Sequence, residues 1–181
     1  MNSSVNASAE KTADAAAILH QQQYLTFRLG CEMFAVGIVG IREIMEYGEL
    51  TSVPMMPSFV RGVINLRGSV VPVIDLSARF GRGASEIHRR SCIVIVEIDG
   101  PEGRQEIGAI VDEVSEVLEI PATEIEPPPK FGAKIRPDFI AGMGKIGQRF
   151  VIILDMQQVV DVDEMAELAQ LQADFEAAEE E

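Results

Sequence analysis

The side chains with the greatest chemical potential are two histidines and two cysteines, and their spacing assembles no catalytic site. His20 and His88 lie in segments that the sequence predicts to be flexible, whereas an active site needs its groups held on rigid elements. Cys31 and Cys92 stand in no CxxC or metal-ligand spacing. We therefore expect a protein without a metal, a cofactor or enzymatic activity.

Two other sets of residues resemble known functional sites. Residues 142–147, GMGKIG, resemble a glycine-rich phosphate loop, but they align with residues 62–68, GVINLRG, which favours a hairpin. The carboxylates Asp112, Glu113 and Glu116 could be proposed as metal ligands. A simpler interpretation makes them the solvent face of an element whose other face is apolar. That apolar face would consist of Ile110, Val111, Val114 and Val117.

Two further activities fit the composition poorly. An acyl-transfer enzyme would need Cys92 as its nucleophile, yet the pattern around this thiol predicts a strand position. A small-ligand or oligonucleotide-binding β-barrel would need a basic groove with stacking aromatic residues. Aromatic residues make up only 6% of the chain, and tryptophan is absent.

The charge distribution also argues against nucleic acid as a partner. The net charge is −14, and residues 161–181 hold nine acidic side chains and no basic one. No cluster of lysine and arginine of the kind that neutralises phosphates is present. The N-terminus lacks the pattern of an export signal, no apolar run approaches the roughly 20 residues of a membrane span, and the two lone thiols fit a reducing compartment. We expect a soluble cytoplasmic protein that reaches membranes only through a partner.

A repeat organises the middle of the chain. Residues 59–80 return as residues 139–160 at a constant shift of 80, which places Phe59 on Phe139 and Asp75 on Asp155. A weaker echo relates residues 34–45 to residues 107–118 at a shift of 73. The repeat predicts two copies of one structural unit, in which the shared apolar positions pack in the same way.

Short β-branched segments punctuated by glycine and proline predict a closed or sandwiched β-structure. We expect a disordered tail over residues 1–23, one subdomain over 24–85, a second over 91–160 and an acidic helix or tail over 161–181. Each half is small for an independent core, which predicts an apolar seam shared between the halves.

The first copy of the repeat predicts a hairpin with Arg67 at its tip and Gly68 supplying the positive φ of a two-residue turn. Pro72 cannot donate to a ladder, so one side of its strand is expected to be an edge or a bulge. Asp75 and Asp155 are expected to cap short matching helices. The turn is the part that differs most between the copies, which leaves it free to serve a partner.

Three motifs in order resemble the CheW family of bacterial chemotaxis coupling proteins. They are IREI at 41–44, VPMMPSFVRGVINLRGSVVPVIDL at 53–76 and VDEVSEVL at 111–118. The resemblance covers about residues 22–160. It implies two SH3-like five-stranded β-barrels on one hydrophobic core, and an adaptor without enzymatic activity. Family members bridge the cytoplasmic tip of methyl-accepting chemoreceptors to the regulatory domain of the histidine kinase CheA.

Carried over by position, the receptor- and kinase-binding residues implied by the resemblance fall on Ile38, Ile41, Glu43, Gly62, Arg67, Val114 and Val117. The four aliphatic residues could equally serve core packing, and Gly62 could equally be a backbone requirement. Arg67 offers five donors to a partner carboxylate, or it could fix the turn through an internal salt bridge with Glu43. A rival within the family is an adaptor of a chemosensory array that does not control chemotaxis.

Overall fold

The computed structural model describes residues 22–100, 103–128 and 135–161. They form mostly β-strands, in two mixed sheets. Most of the predicted N-terminal tail, His20 within it, and the predicted acidic helix beyond Asp161 lie outside the described residues. The strands are β1 (Gln23–Leu29), β2 (Glu32–Gly37), β3 (Ile41–Glu46), β4 (Val60–Leu66), β5 (Ser69–Asp75), β6 (Cys92–Gly100), β7 (Gly103–Val111), β8 (Glu113–Glu119), β9 (Ile125–Glu126), β10 (Ile140–Ile146) and β11 (Arg149–Leu154).

The two sheets take their strands from both halves of the repeat. One sheet has the order β8-β1-β2-β11-β10-β9, and the other has the order β3-β6-β7-β5-β4. The five-stranded sheet is therefore built from the continuous stretch 41–111, while the six-stranded sheet joins the N-terminal hairpin to the C-terminal strands. Hydrogen bonding between strands thus crosses the boundary near residues 85–91 that the repeat predicts.

The repeat nevertheless describes the geometry correctly. Strand β5 runs parallel to β7 and pairs Val73 with Gly108. Strand β11 runs parallel to β2 and pairs Ile153 with Ala35. A shift of 80 relates Val73 to Ile153, and a shift of 73 relates Ala35 to Gly108. The two parallel pairs are therefore equivalent under the two shifts. The two copies have exchanged their N-terminal hairpins while keeping the same parallel register.

Short helices follow the repeated hairpins, as the sequence predicts. Helix α1 (Leu76–Arg79) begins after Asp75, whose carboxylate accepts the backbone N–H of Ala78. Helix α2 (Met156–Val159) begins after Asp155, whose carboxylate accepts the N–H groups of two residues in its first turn. No helix among the described residues is long and apolar enough to cross a membrane.

One hydrophobic core spans both sheets. It includes Phe27 and Phe34 of the six-stranded sheet together with Val94 and Ile107 of the five-stranded sheet. Phe80 links them to the second half, because its ring lies 5.7 Å from that of Phe34 and 5.9 Å from that of Phe139. The predicted seam is therefore present as a shared core, and burial of these aromatic rings stabilises both halves together.

Arg79 lies at the symmetric centre of this seam. Its guanidinium carbon is 4.7 Å from the ring centroid of Phe59 and 4.9 Å from that of Phe139, which are equivalent residues of the two copies. Its Nε donates a 2.9 Å hydrogen bond to the carbonyl of Val159, the residue equivalent to Arg79 itself. One side chain of the first copy thus contacts matching elements of both copies.

Candidate partner-binding site

Two short crossovers carry the chain between the sheets. The first is the 3-10 turn Ile38–Gly40, which leads from β2 to β3. The second is Asp112, which leads from β7 to β8. The shift of 73 superposes these crossovers, so they are equivalent connections of the two copies. The four predicted apolar site residues all lie at or just after them.

Ile41 and Val114 occupy equivalent positions beyond the crossovers and contact the core. Ile41 begins β3 and pairs with Val96, and Val114 lies in β8 and pairs with Phe27. Both side chains are half-buried and pack against the shared core. Ile38, within the first crossover, is also half-buried. These three side chains therefore combine packing with partial exposure, so packing and partner contact do not exclude each other.

Val117 is the most exposed of the four, at 48% of its surface. Its equivalent in the first copy is Ile44, which is 44% exposed. Their registers match as well. Val117 pairs with Leu25 and Ile44 pairs with Val94, and these two partners pair in turn with Val36 and Ala109, which the shift of 73 relates. Ile44 was missing from the residues carried over from the family, although the shift of 73 pointed to it. An exposed aliphatic residue thus stands at the same place on each edge strand.

Arg67 occupies the tip of the β4–β5 hairpin. Its φ is 53° and that of Gly68 is 87°, the two positive values of a tight hairpin turn. Asn65 supports the turn, because its side-chain oxygen accepts the N–H of Gly68 at 2.9 Å. The turn holds the Arg67 guanidinium away from the core, in solvent.

An ion pair joins Arg67 to Glu43 at 3.2 Å. The Arg67 side chain is 80% exposed and that of Glu43 is 33% exposed. An exposed pair of this kind is worth only about 0.2 to 1 kcal/mol. Both alternatives weighed from the sequence are therefore geometrically open: Arg67 contacts Glu43 in the free protein, and a partner carboxylate could replace Glu43 at little cost.

Gly62 is buried beneath this surface. A Cβ atom at this position would lie 2.5 Å from the backbone oxygen of Thr51, which is closer than Cβ atoms come to oxygen atoms in real structures. Thr51 bridges to Val63 through two backbone hydrogen bonds of 3.0 and 2.9 Å. Gly62 thus lets the chain after β3 fold back onto β4, which makes it a backbone requirement that positions the edge of the sheet.

The other chemical groups singled out in the sequence have structural partners. Asp112 accepts the N–H of Gly30 at 2.6 Å. Glu113 pairs with Arg28 at 2.7 Å and with Arg90 at 2.9 Å. These carboxylates hold the neighbouring strands and loops together. They do not form one face of a single element, because Asp112 separates β7 from β8 and Val117 of the expected apolar face is exposed.

The two thiols differ in their surroundings. Cys31 is exposed in the turn between β1 and β2, whereas Cys92 is half-buried at the start of β6. Burial and the nearby carboxylate of Glu46 raise the pKa of the Cys92 thiol. A raised pKa keeps this sulfur protonated at neutral pH, and a protonated thiol is a poor nucleophile.

Comparison with known proteins relates the chain to one family. A family model described as a CheW-like domain matches residues 23–164. The chemotaxis protein CheW of Klebsiella aerogenes is 32% identical over 145 residues, which are 80% of this chain and 85% of the relative. Protein FrzA of Myxococcus xanthus is 33% identical over 112 residues, which are 62% of this chain and 68% of the relative.

A solved structure agrees with these relatives. The crystal structure of the scaffolding protein TtCheW from Thermoanaerobacter tengcongensis superposes with a TM-score of 0.69 at 37% identity, covering 77% of this chain and 87% of that chain. The residues that the family model matches include both sheets and the crossovers between them. The chain belongs to the CheW-like family.

Proposed function

We propose that this chain is a non-enzymatic adaptor that couples methyl-accepting chemotaxis receptors to the histidine kinase CheA. Membership of a family that includes chemotaxis proteins and a scaffolding protein supports this role. The single structural observation that carries it is the exposed Arg67–Glu43 pair, whose glutamate lies on the strand that follows the first crossover. The adaptor would work in the cytoplasm and join receptor clusters at the membrane through its partners.

The chain connections of each sheet favour an SH3-like barrel. The five-stranded sheet ends in β3 and β4, which are consecutive in the chain, and Thr51 between them bridges back to β4. The six-stranded sheet ends in β8 and the two-residue β9, also consecutive, and β9 pairs with β10. Chain connections between opposite sheet edges favour closure into two barrels of five main strands each.

The site residues at and after the two crossovers, here called the crossover surface, suit a helical partner. Ile38, Ile41, Val114 and Val117 would supply apolar contacts, with Glu43 and Arg67 at the polar rim, in the manner of a helix lying in a groove. The receptor tip is the partner that we assign to this surface, and the kinase regulatory domain, which shares the barrel fold, would pair with another part of the same rigid body. Two partners on one rigid body can influence each other without chemistry in the adaptor.

Charge reversal distinguishes the two roles of Arg67. We expect Arg67→Glu to weaken binding to a receptor cytoplasmic fragment or to the kinase regulatory domain by about tenfold in a pull-down, since it replaces an attraction by a repulsion. If Arg67 acts on a partner, the double variant Glu43→Arg/Arg67→Glu stays weak. If Arg67 only fixes its own turn, the restored internal pair restores binding.

A matched control lies on the other hairpin. Arg149→Glu changes the same charge on an exposed residue of β11 and should leave both interactions unchanged. Unaltered binding of both partners by a folded Arg67→Glu protein would show that Arg67 is not a contact residue.

A further inference from the structure

The parallel ladder of the five-stranded sheet begins just after Pro72. The β11–β2 ladder contains the pair Ile152 with Phe34. The shift of 80 places Pro72 at the position of Ile152, but the β5–β7 ladder begins one residue later, with Val73 paired to Gly108. The β5–β7 ladder has three pairs and the β11–β2 ladder has two, and the pair that the first copy lacks falls on the proline.

The backbone geometry explains this difference. Leu66 and Ser69 flank the two-residue turn and pair with each other, which makes them a hydrogen-bonded pair of the hairpin. Hydrogen-bonded and non-bonded pairs alternate along an antiparallel ladder. The pair Val63 with Pro72 is then non-bonded, so the backbone nitrogen of Pro72 faces β7. Proline has no N–H to donate there.

An open cleft separates β5 from β7 on the N-terminal side of their first ladder pair. Its volume is about 400 Å³, within the roughly 300 to 1,000 Å³ of ligand sites. By the same alternation, the N–H and C=O of Val70 face into it from β5. The lining residues are Leu66, Arg67, Ser69, Val70, Val71, Arg104, Gln105 and Glu106.

The most exposed charged side chains of this cleft are arginines. The side chains of Arg67 and Arg104 are 80% and 77% exposed, while the lining carboxylate Glu106 is 33% exposed and the ion-pair partners Glu43 and Glu97 are 33% and 18% exposed. The arginines are therefore more accessible to a partner than the acids around them. Val70 adds an aliphatic side chain that is 70% exposed.

We propose that this cleft binds an extended, acidic peptide segment of a partner protein, which pairs with the free backbone of β5. An unpaired strand edge recruits an extended peptide through main-chain hydrogen bonds, and its flanking side chains give specificity. Here alternate peptide side chains would cover Val70 and place carboxylates near Arg67 and Arg104. The site goes beyond receptor and kinase coupling, although Arg67 belongs to both surfaces.

Fluorescence anisotropy with two synthetic peptides tests the proposal on the full chain. The probes are labelled Thr-Glu-Val-Glu-Val-Glu-Thr and the same peptide with lysine in place of glutamate. We expect the acidic peptide to bind at least tenfold more tightly than the basic one, and to shift the amide signals of Val70 and Arg104 in NMR spectra. Equal binding of both peptides, or shifts confined to other residues, would overturn the proposal.

Variants locate the bound peptide. Pro72→Ile installs the residue of the second copy, supplies the missing N–H and should reduce acidic-peptide binding at least tenfold by extending the β5–β7 ladder. Val70→Asp tests the cleft without changing the backbone and should have a similar effect by charge repulsion. Phe150→Asp is the matched control, since Phe150 is the exposed equivalent of Val70 and lies on the other hairpin. Wild-type affinity in folded Val70→Asp would refute the site even if Pro72→Ile failed to fold.

Discussion

The hairpins β4–β5 and β10–β11 have the same architecture and different surfaces. In both, the N–H of the capping aspartate donates to the carbonyl of the equivalent phenylalanine, Asp75 to Phe59 at 2.7 Å and Asp155 to Phe139 at 2.9 Å. Both ladders shift register just before the equivalent glycine. The differences are concentrated at the turn, at Pro72 and around Asp75. Repetition therefore marks the shared framework, and divergence marks the surfaces on which the two copies differ.

Asp75 shows how far one repeated residue has diverged. It is fully buried and accepts hydrogen bonds from Arg61 at 3.2 Å and from Ser85 at 2.7 and 2.6 Å, besides capping α1. Arg61 also donates to the Ser85 carbonyl at 2.6 Å. Asp155 caps α2 and is only half-buried. The first aspartate thus holds the loop after α1 against the sheet.

The largest expected contrast follows from this pair. Asp75→Asn should lower the free energy of unfolding by about 2 to 3 kcal/mol, because it leaves the half-buried Arg61 guanidinium without its anion. Asp155→Asn should change it by about 0.3 kcal/mol or less, since asparagine caps helices as well as aspartate does. Urea denaturation followed by circular dichroism measures both. Equal losses would show that the two aspartates have the same role.

A second contrast concerns the equivalent glycines. Gly62→Ala should cost about 2 kcal/mol, because its Cβ would meet the fixed backbone oxygen of Thr51 at 2.5 Å. Gly142→Ala should cost about half as much, since its nearest atom, at 2.6 Å, is a side-chain atom of Ile125 and the nearest backbone oxygen, that of Glu126, is farther away at 3.1 Å. The same denaturation experiment compares them. A larger loss at Gly142 would contradict the assignment of Gly62 as the stricter backbone requirement.

The smallest contrast lies in the two thiols of the equivalent hairpins β1–β2 and β6–β7. At pH 7.5 we expect iodoacetamide to modify Cys31 at least tenfold faster than Cys92, because the thiolate reacts and the raised pKa of Cys92 keeps it protonated. Raising the pH toward that pKa should accelerate Cys92. Mass spectrometry after timed quenching gives both rates. Rapid alkylation of native Cys92 at neutral pH would revive its role as a nucleophile.

Local features of the fold followed from the sequence because their causes are local. The hairpin around Arg67 and the caps at Asp75 and Asp155 each depend on residues a few positions apart. The edge expected beside Pro72 is only local, because β5 lies inside the sheet and pairs with β7 from Val73 onward. The exchange of hairpins between the sheets did not follow, because pairing β2 with β11 joins residues more than 100 positions apart. Whether residues 24–85 and 91–160 act as separate domains stays a prediction.

The candidate site was predictable in part for the same reason. The ion pair of Arg67 with Glu43 was weighed from the sequence, and the structure shows the contact. Ile44 was missed, although its equivalence to Val117 was available from the repeat. The contacts of Arg79 with Phe59 and Phe139 depend on how the halves pack, which no local pattern encodes. The binding roles of the seven site residues stay predictions until partners are tested.

Co-sedimentation tests the coupling function most directly. Membranes that contain a methyl-accepting receptor are mixed with the kinase CheA, with and without this chain, and the pellets are quantified. We expect the chain to be enriched in the pellet and to increase the amount of kinase there. A chain that stays in the supernatant, with and without the kinase, would contradict the coupling function.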